Sequence, residues 1–169
     1  MKIQVGGLSE GVHEYAFQSA PAEIGLSPEF DQEVRVNAVL EKNPGEFRLR
    51  AKIAAGATWE CDRCVAAFRT PIEASYEMYY VFEGGPDLDP AEVQVVPTSV
   101  NVIDIAEDVR QSVELSVPLK RVCREDCRGL CPYCGTNLNE GSCACVPAHA
   151  DGRWDKLKEW KNITKHDAR

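Results

Sequence analysis

Between residues 32 and 82 apolar and polar side chains alternate along the chain. Val34, Val36, Ala38 and Leu40 fall on one face of an extended segment and Arg35, Asn37, Val39 and Glu41 on the other. A period of two predicts a strand with one face buried. Asn43-Pro44-Gly45 is a turn signal, after which Phe47, Leu49, Ala51 and Ile53 alternate with Arg48, Arg50 and Lys52 on the returning strand. A further extended run over 68–82 follows the motif Cys61-Asp62-Arg63-Cys64, which places that CxxC at the end of a sheet, between two strands. Before residue 32 only short apolar runs such as 3–5 and 15–17 suggest edge strands.

Downstream the pattern changes. Residues 83–92 carry Glu83, Asp87, Asp89 and Glu92 with no base, among Gly84, Gly85, Pro86 and Pro90, and predict an acidic loop. Ile103, Ala106, Val109, Val113 and Val117 then recur every three or four residues, with Asp104, Glu107 and Asp108 in the first turn and Pro118 as the stop. That spacing predicts an amphipathic helix. Trp154, Leu157, Trp160 and Lys161 predict a short terminal helix. The expected class is α+β, an antiparallel meander, open or barrel-like, with one amphipathic helix and a cysteine-rich zinc-knuckle segment. Residues 1–120 form the core domain and 121–169 the cysteine-rich tail.

A chain of 169 residues with 44% hydrophobic content suffices for one core and a small appendage. No apolar run approaches the roughly 18–20 residues of a membrane span, and the N-terminus has no apolar h-region, so a cytoplasmic protein is expected. The net charge of −8 disfavours a surface built throughout to neutralise phosphates.

In a reducing compartment eight clustered cysteines point to metal rather than disulfides. Cys131-Pro132-Tyr133-Cys134-Gly135 has the form of a zinc knuckle: two thiolates three residues apart grip one ion, and Gly135 permits a positive φ. Cys143 and Cys145 are close enough to complete a four-sulfur set. Cys61, Cys64, Cys123 and Cys127 form a second set, or Cys127 joins Cys131 and Cys134; one or two structural zinc ions follow. A thioredoxin-type CxxC opens a helix, which neither motif here does. His13, His149 and His166 are expected on the solvated surface. No nucleophile elbow, HExxH, phosphate loop or dinucleotide fingerprint is present, so no enzyme is expected.

The run Cys123-Arg124-Glu125-Asp126-Cys127-Arg128-Gly129-Leu130-Cys131-Pro132-Tyr133-Cys134-Gly135, followed by Cys143-Ala144-Cys145, closely resembles the YceD family, the large ribosomal RNA subunit accumulation proteins. Cys61-Asp62-Arg63-Cys64 and Val117-Pro118-Leu119-Lys120 match as well, while Asp151-Gly152-Arg153 departs from the family's Asp-Pro-Arg. The resemblance implies a non-catalytic role in large ribosomal subunit biogenesis. The charge pattern leaves two expected partners, a basic ribosomal protein meeting the acidic loop, or ribosomal RNA meeting bases such as Arg153, Lys156 and Lys158. The alternative is a redox- or zinc-responsive regulatory binding protein in which the cysteines are sensors. No membrane or small-molecule partner is indicated.

Overall fold

The alternation in the sequence becomes a series of paired strands. The computed structural model describes residues 1–82 and 93–146. Strand β1 is Lys2–Gln4, β2 Gly11–Ser19, β3 Val34–Asn43, β4 Glu46–Glu60, β5 Ala67–Phe82, β6 Val93–Val96 and β7 Val102–Asp104, followed by helix α1, Ala106–Leu115. By its contacts the chain divides into two compact units, Met1–Cys127 and Arg128–Arg169, so Cys123 and Cys127 belong to the first.

In the first unit five strands lie in the order β2-β3-β4-β5-β6. The register Val36↔Ile53, Ala38↔Ala51 and Leu40↔Leu49 stacks the apolar faces of β3 and β4, and all six residues are buried. Pro44-Gly45 closes this hairpin, with Gly45 at φ 86°, a left-handed conformation glycine adopts without a Cβ clash. The β4–β5 pairing runs from Glu46↔Val81 to Glu60↔Ala67, so these two strands carry residues 61–66 to the far end of the sheet. One expectation needs correction and one alternative is decided. The sheet is mixed, because β6 pairs parallel to β5, and it is open: among the described residues β2 and β6 are unclosed edges, not the seam of a barrel. Val93–Val96 is too short to display a direction in its side-chain pattern.

Residues 15–17 do lie in the edge strand β2, and residues 3 and 4 in β1, which pairs with β7 in a separate two-stranded sheet. Ile103 belongs to β7 and not to the helix; its spacing from Ala106 mimics a helical step. The Asp104 carboxylate accepts the Ala106 N–H at 3.1 Å and starts α1. Val109 and Val113 are fully buried, and the helix packs against β5 and β4. No helix among the described residues is long and apolar enough to cross a membrane. The expected acidic loop at 83–92 and the terminal helix, with Arg153, Lys156 and Lys158, lie outside the described residues, as do His149 and His166.

Candidate metal centre

β4 ends at Glu60 and the chain reverses through Cys61–Ala66. The Cys61 N–H donates to the Ala66 carbonyl at 3.0 Å and the Val65 N–H to the Cys61 carbonyl at 2.9 Å. In the second unit the same two bonds recur. Cys131 N–H donates to the Thr136 carbonyl at 2.8 Å and Gly135 N–H to the Cys131 carbonyl at 2.9 Å. The two CxxC segments are therefore copies of one turn, and both place a left-handed residue after the second cysteine: Gly135 at φ 73° and Val65 at φ 60°.

Each turn meets a different second pair of cysteines. The Sγ atoms of Cys61, Cys64, Cys123 and Cys127 lie within 4.8 Å of one another, as do those of Cys131, Cys134, Cys143 and Cys145. All eight cysteines fall into these two sets of four, and Cys127 sides with the sheet-end turn. All eight are unbridged. Cys61 and Cys127 are separated by 3.8 Å and Cys64 and Cys123 by 3.7 Å, sulfur to sulfur. A disulfide requires about 2.05 Å. A tetrahedron with metal–sulfur bonds of about 2.3 Å has edges of about 3.8 Å, so the donor set fits a tetrahedral thiophilic ion.

The first site joins distant segments. Asp62 N–H donates to the Arg121 carbonyl at 2.8 Å and Arg121 N–H to the Asp62 carboxylate at 2.6 Å. The Arg63 guanidinium donates to the carbonyls of Glu125 at 3.1 Å and Cys127 at 2.7 Å, and Cys123 N–H to the Cys61 sulfur at 3.4 Å. Asp62 and Arg63 thus hold the segment of Cys123 and Cys127 against the Cys61–Cys64 turn, a role their place in a CxxC does not reveal. Cys61, Cys64 and Cys127 are buried and Cys123 half-buried. The second site is local and more open, with Cys131 buried, Cys143 half-buried, and Cys134 and Cys145 exposed. Its frame is polar. Asn139 accepts the Arg128 N–H at 2.8 Å, Asn137 donates to Glu140 at 2.6 Å, and Leu138 N–H donates to the Gly129 carbonyl at 2.9 Å.

Electrostatics divides the thiols of each set. Burial opposes ionisation of Cys61, yet N–H groups of Cys123, Arg63 and Cys64 bring its thiol down to about 6. Burial and the neighbouring sulfurs push Cys123 up to about 12. In the second set the Thr136 hydroxyl and N–H bring Cys134 down to about 6, while Cys134 itself, with burial, pushes Cys145 up to about 12. One thiolate forms readily in each set and discourages the next, a repulsion that a bound cation removes. His13 is remote in sequence from either set and bonds the Ser9 carbonyl at 2.9 Å.

Residues 49–161, a span that contains both four-cysteine sets, match the family model described as large ribosomal RNA subunit accumulation protein YceD. The chain belongs to the YceD family. An uncharacterized protein of Mycobacterium tuberculosis is similar to it, 31% identical over 152 residues that cover 83% of this chain and 69% of the relative. Two further YceD relatives are named large ribosomal RNA subunit accumulation protein YCED homolog 1, chloroplastic. The Zea mays protein is 37% identical over 71 residues, 41% of this chain and 24% of its own. The Arabidopsis thaliana protein is 39% identical over 61 residues, 36% of this chain and 19% of its own. No solved structure matches.

Proposed function

We propose that this chain is a non-catalytic cytoplasmic factor in the accumulation of large-subunit ribosomal RNA, with one structural zinc ion held by each set of four cysteines. The ribosomal role is supported by membership of the YceD family and by the names of its chloroplast relatives. The metal reading rests on the sulfur separations of 3.7 and 3.8 Å in the first set, which match the edge of a four-thiolate tetrahedron. A zinc ion bound by four thiolates supplies cross-linking and no open position for water, which favours a structural role over catalysis. Cys61, Cys64, Cys123 and Cys127 would hold one ion, tying the β4–β5 turn to the segment after α1. Cys131, Cys134, Cys143 and Cys145 would hold the other.

The test is the ratio of large- to small-subunit ribosomal RNA in cells depleted of the protein, then complemented with the wild type or with Cys131→Ser/Cys134→Ser. Depletion is expected to lower the ratio, and only the wild type to restore it in full; an unchanged ratio overturns the ribosomal reading. A second reading, a redox- or zinc-responsive regulator, draws on the exposure of Cys134 and Cys145. It requires the second ion to leave under mild oxidant with a change in partner binding.

A further inference from the structure

Beside the first knuckle lies a cleft of about 540 Å³, walled by Trp59, Glu29, Glu60, Asp62, Val65 and Arg121. One of its walls is aromatic. Trp59 is buried, packs edge-on against Phe30 at 5.6 Å between ring centroids, and carries the Arg121 guanidinium over its face at 5.1 Å. Arg121 is also tied through its backbone N–H to Asp62. The exposed carboxylates of Glu29 and Glu60 stand on the rim; Glu29 is held by the Ser27 side chain and faces the Arg121 charge, whereas Glu60 has no ion-pair partner among the described residues.

Val65 stands at the same rim and is 57% exposed, although it holds a left-handed backbone at φ 60°. The equivalent position in the other knuckle is Gly135, so the turn itself does not ask for a valine. A β-branched residue in that conformation is strained, and no burial of its side chain offsets the strain. An apolar group at such a position and turned to solvent suits contact with something outside the chain.

Charge decides what that something is. Residues 1–127 contain 22 acidic and 12 basic side chains, a formal charge of −10, and thiolate–zinc binding makes this unit more negative still. Phosphate is repelled from such a body, and a cationic chain is drawn to it. We infer that the Trp59–Val65 cleft docks a basic polypeptide segment, whose Lys or Arg side chains meet Glu29 and Glu60 and whose apolar side chain covers Val65. This deepens the ribosomal reading by naming the class of partner, and for the source of that segment it rests on that reading.

The full zinc-loaded chain is titrated with three fluorescent probes: a short peptide of alternating Lys and Leu, its Glu and Leu counterpart, and a single-stranded RNA oligonucleotide. The basic peptide is expected to bind, more weakly as salt rises, and the other two to bind poorly. Glu29→Gln/Glu60→Gln is expected to weaken the basic peptide about tenfold, and Val65→Gly about threefold, while Glu10→Gln leaves binding unchanged. RNA bound in preference to the basic peptide, no binding of that peptide, or equal binding by wild type and both cleft variants each overturns the inference. The ribosomal RNA ratio in cells carrying Glu29→Gln/Glu60→Gln separates the two readings. Peptide binding lost with the ratio unchanged leaves the cleft standing and removes its ribosomal role. A lowered ratio with peptide binding intact overturns the cleft and leaves the ribosomal reading.

Discussion

The sulfur atoms of Cys61 and Cys127 stand 3.8 Å apart although 66 residues separate them in the chain. One belongs to the turn between β4 and β5 and the other to the segment beyond α1, so an ion bound there ties the end of the sheet to the chain that leaves the helix. Cys127→Ser is therefore expected to lower bound zinc by about one ion per chain and to lower the thermal midpoint by on the order of 10 °C, as loss of several kcal/mol from a domain of this size implies. Metal content and a melting curve on the same preparation check this. A midpoint equal to that of the wild type shows that the first site does not brace the fold.

The two sites differ in access, and chelation follows access. Three of the four sulfur residues in the first set are buried, whereas Cys134 and Cys145 in the second are exposed. A coloured chelator added to the loaded protein is expected to take zinc in two phases, the faster one abolished by Cys134→Ser/Cys145→Ser. A single phase, or a fast phase that survives this variant, contradicts the assignment.

How far these sites could be read from sequence depended on distance along the chain. The hairpin of β3 and β4 was legible because Val34 to Leu40 and Phe47 to Ile53 alternate against a fully buried face. β2 was faint because it lies at a sheet edge, where Tyr15 and Phe17 are only half-buried. The parallel pairing of β6 left no trace in four residues, and Ile103 fell into the helical period by coincidence of spacing. Among the cysteines, the second set was legible because Cys131 to Cys145 are neighbours in sequence. The place of Cys127 in the first set is not legible in sequence, since it depends on bonds from Asp62 and Arg63 to the backbone of 121–127.

Asp108, in the first turn of α1, accepts from Tyr80 at 3.3 Å. Burial raises its carboxyl above the ordinary value near 3.8, with the Glu107 charge adding to the effect. The folded state therefore holds this proton more tightly than the unfolded chain, and stability falls as pH rises from about 3.8 through the raised value. Asp108→Asn keeps a carbonyl acceptor for Tyr80 and removes the penalty. It is expected to stabilise the protein at neutral pH and to lose that advantage below the unfolded value. Urea midpoints at several pH values decide this, and an advantage that is independent of pH rules out burial of the charge as its cause.

Val65 and Gly135 occupy the same left-handed position in two copies of one turn, at φ 60° and 73°. Left-handed backbone costs an L-residue about 1–2 kcal/mol, whereas glycine adopts it freely but loses roughly 0.5–1 kcal/mol more entropy on folding. Val65→Gly is therefore expected to stabilise the loaded protein by up to about 1 kcal/mol in urea unfolding. Gly135→Val, with no atom within 4 Å of the added Cβ, is expected to cost about 1 kcal/mol through φ alone and to weaken zinc retention at the second site. The Val65 variant should gain stability while binding the basic peptide less well, because the strain relieved and the contact removed sit on one residue. A loss of stability on Val65→Gly shows instead that the valine packs within the chain and is not held for a partner.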